Sequence, residues 1–107
     1  MQTDTSSINK LHALEALIQK GYKSDLVAKA LNKLMELEHA KLKRKLYEIE
    51  TRVKSLETKY NMDSESFAEK YHAGSVEDSA DNIEWISYID MQMALNQKIR
   101  LLQEGNT

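Results

Sequence analysis

The sequence predicts an all-α protein, a long antiparallel helical hairpin of coiled-coil type with a short N-terminal helix and a short connecting helix, assembled as a dimeric bundle. Three observations carry this expectation. The 107 residues contain no proline and only three glycines, so little in the chain interrupts a helix. Residues 25–60 have neither, and they are rich in Ala, Leu, Lys and Glu, which are strong helix formers. Apolar residues recur at intervals of three and four through most of the chain, the period of one helical face. The expected organisation is one elongated helical domain over residues 1–107, with helices at about 7–20, 25–60, 64–72 and 82–103.

The first helix is expected over 7–20, with Ser6 or Ser7 as its cap and Ile8, Leu11, Leu14 (or Glu15) and Ile18 on one face. Gly21, Gly74 and Gly105 each follow a periodic segment, where a left-handed residue commonly closes a helix. Ser24 offers the next N-cap, and Asp25 favours the positive end of the helix dipole.

The long helix over 25–60 would be a rod of about 54 Å. Its second half carries Leu42, Leu46, Ile49, Val53, Leu56 and Tyr60 at alternating intervals of four and three, the seam of a coiled coil. Upstream, the same heptad falls on His39 and Asn32, while the nearby apolar residues are Val27, Leu31, Leu34 and Met35. The pattern predicts a register shift near residues 37–41; the alternative is that His39 and Asn32 are polar residues in the seam.

Asn61 can end the long helix, and Asp63 or Ser64 can cap a short one in which Phe67 and Tyr71 share a face. So short a helix needs a packing surface, which the end of the long helix or the start of the last one can provide. Residues 76–82 read as an acidic linker. The last helix, 82–103, carries two apolar stripes, Trp85, Tyr88, Leu95, Ile99 and Leu102 on one side, Ile83, Ile86, Ile89 and Met93 on another. The long helix answers one stripe; the first helix, a second copy or another protein would answer the other.

Charge is unevenly distributed. Residues 1–60 carry twelve Lys and Arg against eight Asp and Glu, a charge of +4, and residues 61–107 carry three against nine, a charge of −6. The acidic part favours a basic partner and repels nucleic acid. The run Lys41-Leu42-Lys43-Arg44-Lys45 wraps around the helix and is followed by Glu48 and Glu50, which reads as a solvated flank, and direct nucleic-acid binding is not expected.

No enzymatic chemistry is expected. With no cysteine, thiolate sites and disulfides are excluded. His12, His39 and His72 lie on separate segments; Glu36 and His39 form one Glu-x-x-His pair, and the second pair that a di-iron bundle requires is missing. Phosphate loops and nucleophile elbows are lacking too. Neither metal nor cofactor is called for. Residues 1–8 lack the features of a signal peptide and no apolar run is long enough to span a bilayer, so a cytoplasmic protein without a membrane partner is expected.

The run Lys59-Tyr60-Asn61-Met62-Asp63-Ser64-Glu65-Ser66-Phe67, followed by Lys70-Tyr71-His72-Ala73-Gly74 and, after the acidic link, by Ile83-Glu84-Trp85-Ile86-Ser87-Tyr88-Ile89-Asp90, resembles small helical proteins of archaea and cyanobacteria that look like antitoxins of type II toxin–antitoxin pairs. The resemblance covers about residues 46–95 and rests on a few aromatics and acids. Asn61 stands where the pattern usually has glycine, and residues up to Tyr22 have no counterpart in it. It implies an antitoxin that neutralises a basic toxin protein through the acidic C-terminal half. Phe67, Tyr71, Glu77, Asp78, Asp81, Trp85, Tyr88, Ile89 and Met93 are then the partner-binding candidates, and the chain is expected to be a homodimer. The alternative is a self-assembling structural coiled-coil protein without a toxin partner, in which all the apolar stripes are consumed in a homodimeric bundle.

Overall fold

The computed structural model describes residues 4–105. These form four helices, α1 (Thr5–Gln19), α2 (Asp25–Tyr60), α3 (Ser64–His72) and α4 (Ala80–Glu104), and contain no strand. The protein is all-α, and α2 and α4 pack against each other as a hairpin. The chain divides into a unit that ends at Leu34 and a unit that begins at Met35, the boundary falling within α2.

In the first unit the α1 cap is Asp4, ahead of the expected serines. Its Oδ1 accepts from the Ser7 backbone N–H at 3.1 Å, and the Ser7 hydroxyl donates to Oδ2 at 2.6 Å. A carboxylate can accept both bonds and also suits the positive end of the helix, so the serine becomes a donor to the cap rather than the cap itself. The Ser7 hydroxyl, aided by its backbone N–H, holds the Asp4 carboxyl below its ordinary value. Gly21 closes the turn at φ +91°, and the Ser24 hydroxyl accepts from the Val27 N–H at 3.2 Å, as expected of the second cap. No residue of α1 is buried: Ile8, Leu11, Leu17 and Ile18 are all exposed.

The second unit contains the core. Leu46, Ile49 and Val53 of α2 meet Leu95 and Ile99 of α4, with Leu42 and Tyr88 half-buried beside them. Rising numbers on α2 meet falling numbers on α4, so the pairing is antiparallel, as the heptad seam predicts. On α2 the half-buried Met35 and His39 continue the same alternation below Leu42, while Leu37 is exposed. The expected register shift is therefore not present between Met35 and Leu42. His39 occupies a seam position at the margin, where an imidazole can stay partly hydrated, and Asn32 is exposed. On α4 the seam is Trp85, Tyr88, Gln92, Leu95, Ile99 and Leu102, with Gln92 half-buried at a position the apolar stripe passes over.

A second cluster caps the hairpin. Leu56, Phe67, Trp85 and Ile86 are buried there, with Met62, Tyr71, Val76 and Ile89 packed around them. Phe67 and Tyr71 thus pack on the end of the long helix and the start of the last. α3 covers part of the second stripe of α4, burying Ile86 and half-burying Ile89, and leaves Ile83 and Met93 exposed at 47% and 64%.

Three local features put α3 in place. Asn61 turns the chain at φ 50°, a left-handed conformation that asparagine tolerates better than most residues. Asp63 caps α3 by accepting from the Ser66 N–H at 2.7 Å, the bond that holds its carboxyl below the ordinary value. Gly74 ends the segment at φ +75°. The expected acidic linker is shorter than predicted, because Ser79 caps α4 by accepting from the Asn82 N–H at 3.1 Å, so helix begins at Ala80. Gly105 differs from expectation as well: its φ is −71°, an ordinary right-handed value.

Ile49 lies in the middle of the first cluster with 7% of its surface exposed. Ile49→Ala should destabilise the protein by about 2–4 kcal/mol, through lost apolar contact and the cavity left behind, measured by thermal or denaturant melts followed by circular dichroism.

Candidate functional site

The acidic end of the second unit is built on an aromatic stack. The Phe67 and Trp85 rings lie 4.0 Å apart between centroids and within 3° of parallel, and they are 2% and 1% exposed. Tyr60 also stacks with Trp85, at 5.9 Å and 25°, and Tyr71 packs tilted against Phe67 at 5.9 Å. A buried indole needs an acceptor, and Trp85 Nε1 donates to the Ser64 hydroxyl at 2.9 Å. Ser64 in turn donates to Glu57 Oε2 from its hydroxyl at 2.8 Å and from its backbone N–H at 2.9 Å. One carboxylate on α2 thereby fixes the first residue of α3, and that residue fixes the tryptophan of α4. Among the described residues no buried side-chain polar atom lacks a partner.

A second tie lies on the surface. Asp81 Oδ2 accepts from Lys59 Nζ at 2.7 Å and from the Tyr60 hydroxyl, joining the last turn of α2 to the first turn of α4. The hydrogen bond from Lys59, then that from Tyr60, holds the Asp81 carboxyl below its ordinary value. The same carboxylate raises the values of Lys59 and Tyr60.

The structure sorts the partner-binding candidates by environment. Phe67 and Trp85 belong to the core. Tyr71, Tyr88 and Ile89 are half-buried at its margin, with the Arg52 guanidinium 5.9 Å from the Tyr88 ring centroid. Asp81 is engaged in the tie to α2, whereas Glu77 and Asp78 are exposed on the loop before α4. The Glu77 carbonyl accepts from Asn82 Nδ2 at 2.8 Å, which orders the loop backbone. Met93 is exposed on a different part of α4, among Asn96, Gln97 and Arg100. Glu65 and Glu69 on α3 and Glu84 on α4 are exposed too, so α3, the loop after it and the start of α4 carry five exposed carboxylates with Glu77 and Asp78. None of these five carboxylates makes an ion pair among the described residues.

Sequence reasoning passed over a row on α4, Met91, Ala94, Lys98 and Leu101, which lines a groove facing α2. The signal was present as spacings of three and four, diluted by the lysine and the alanine. Among the described residues no group of three or more histidines, aspartates and glutamates is placed to hold a metal ion, and no helix is long and apolar enough to cross a membrane. Compared with known proteins, the chain matches no protein-family model, no curated protein and no solved structure.

The surface tie predicts a pH dependence. A carboxyl held low by folding stabilises the fold above its usual value of 3.8, and that contribution is lost as the pH falls through its lowered value. Tyr60 and Lys59, raised from 10.0 and 10.5, stabilise below those values and cease to do so as the pH rises through their raised ones. Asp81→Asn should therefore lower the melting temperature at neutral pH, with a deficit that narrows toward both acid and alkali. Melts of both proteins across the pH range check it; a deficit independent of pH would exclude an ionic origin.

Proposed function

We propose that this chain is a protein-binding protein of antitoxin type, which neutralises a basic partner through the acidic surface around α3 and the start of α4. The supporting observation is the group of exposed, unpaired carboxylates Glu65, Glu69, Glu77, Asp78 and Glu84 on a scaffold fixed by the Phe67–Trp85 stack. Charge held in place before encounter raises the association rate with a partner of opposite sign, and a rigid scaffold loses little conformational freedom on binding. The exposed Ile83 beside Glu84 supplies apolar contact at the same surface. With Phe67 and Trp85 in the core, the anchoring role passes to Ile83 and to the half-buried Tyr71 and Ile89. A toxin that acts on RNA fits this chemistry, because a groove that holds phosphate is basic.

A second reading, a self-assembling coiled-coil protein, is favoured by the first unit. Its apolar residues Ile8, Leu11, Ile18, Leu26 and Leu31 are exposed, which suits burial against a second copy and a homodimer. Both readings place the protein in the cytoplasm.

The two readings separate in one experiment. Glu77→Lys combined with Asp78→Lys should slow association with a small basic protein encoded beside this gene by about tenfold at low ionic strength, with circular dichroism unchanged. The measurement is binding kinetics with a parallel growth-rescue assay. If the wild-type chain neither binds that protein nor relieves its toxicity, the antitoxin reading falls and the self-assembly reading stands.

A further inference from the structure

One face of the hairpin bears a groove of about 630 Å³. Its floor is formed by Leu42, Ile49 and Leu95 of the first core cluster together with the half-buried Leu102, and its walls are two helical rows. The α2 wall is Glu38, Lys41 and Lys45; the α4 wall is Met91, Ala94, Lys98 and Leu101. Met91 and Leu101 are 47% and 67% exposed, so the apolar surface continues from the floor up one wall. Three lysines and one glutamate stand along the rims, opposite in sign to the acidic end of the same unit.

We propose that this groove docks an amphipathic helix of another protein, one whose apolar stripe is flanked by carboxylates. A trough between two antiparallel helices is the site a third helix fills in bundle packing. The distance along α4 from Met91 to Leu101, at 1.5 Å per residue, is about 15 Å, enough for about three helical turns. Such a helix would set residues at intervals of three, four and seven against Leu42, Ile49, Leu95 and Leu101. Lysines on both rims then select acidic flanks, Lys41 and Lys45 on one side and Lys98 on the other.

The occupant is argued from charge. If a second copy covered the groove with its own groove about a two-fold axis, Lys41, Lys45 and Lys98 would face their equivalents, with only Glu38 of each copy to offset them. α1 of a second copy also fits poorly, because α1 with its caps is neutral, Lys10 and Lys20 offsetting Asp4 and Glu15. Nucleic acid would use the lysines and leave the apolar floor and Leu101 uncovered, with no aromatic platform for bases. This inference is independent of the acidic surface, and its test does not involve a toxin.

The probe is a fluorescein-labelled, stapled helical peptide of about 18 residues, with leucines at intervals of three, four and seven and glutamates on both flanks. Its control carries lysines in place of the glutamates. Anisotropy titration with the full chain should give micromolar binding of the acidic peptide, weakened by salt, and at least about tenfold weaker binding of the lysine peptide. Leu101→Glu and Lys98→Glu, both at exposed positions, should each weaken the acidic peptide by about tenfold without changing the melting curve. The proposal is overturned if neither peptide binds, if both bind equally, or if Leu101→Glu has no effect. It is overturned equally if sedimentation shows self-association that Leu101→Glu abolishes, since the groove would then belong to a second copy.

Discussion

The second unit depends on the contact between Phe67 and Trp85. Near-parallel rings at 4.0 Å bring α3 onto α4, and the indole N–H, which could not be buried without an acceptor, finds one in Ser64. Because Ser64 is itself held by Glu57, the stack is oriented from α2. A nine-residue helix has too little intrinsic stability to persist alone. Here it is fixed by one large apolar face and one polar relay, and it gives α4 the second packing surface that its two-sided pattern requires. The two helices that carry Glu65, Glu69 and Glu84 are joined by this arrangement.

The parts of the fold legible in the sequence were those set by local chemistry. The seam from Leu42 to Leu56, the Ser24 cap and the turn at Asn61 follow from residue type and spacing alone, whereas Asp63 and Ser64 stay equivalent as caps of α3 until the fold turns Ser64 toward Glu57. Competition between neighbours hid the rest. Ser6 and Ser7 are the caps the sequence suggests for the first helix, and Asp4 takes the role because its two carboxylate oxygens accept from the backbone N–H and the hydroxyl of the same serine, Ser7. The Glu77-Asp78-Ser79-Ala80-Asp81 stretch looks like a linker by charge, yet Ser79 and Ala80 begin a helix once Asp81 is tied to Lys59 and Tyr60. His39 in the seam runs against the apolar pattern, and its tolerance there comes from a partly solvated margin that no periodicity encodes.

The candidate site was legible in composition and less so in detail. Acid enrichment points to the C-terminal half whatever the arrangement of its side chains, because net charge does not depend on that arrangement. Which aromatics would be free did depend on it: α3 buries Phe67 and Trp85, and only the folded arrangement shows that Ile83 and Met93 remain outside. The basic run at Lys41 to Lys45 looked dispersed because a helix spreads consecutive residues around its circumference. Lys41 and Lys45 become one rim of a groove only where α4 brings Lys98 to the other side.

The absence of any buried residue in α1 bears on how the protein opens. Among the described residues, all nine buried apolar side chains lie between Leu46 and Ile99, although α2 begins at Asp25. One continuous helix therefore passes from a stretch without a core into a stretch that has one. Amide protection should rise along it in steps, with hydrogen exchange near Ala28 reporting local fraying and exchange near Ile49 reporting opening of the whole unit. A protease added to the native protein should cut first in residues 4–34, and a melting curve read by helix content alone should combine an early, shallow loss with a later cooperative one.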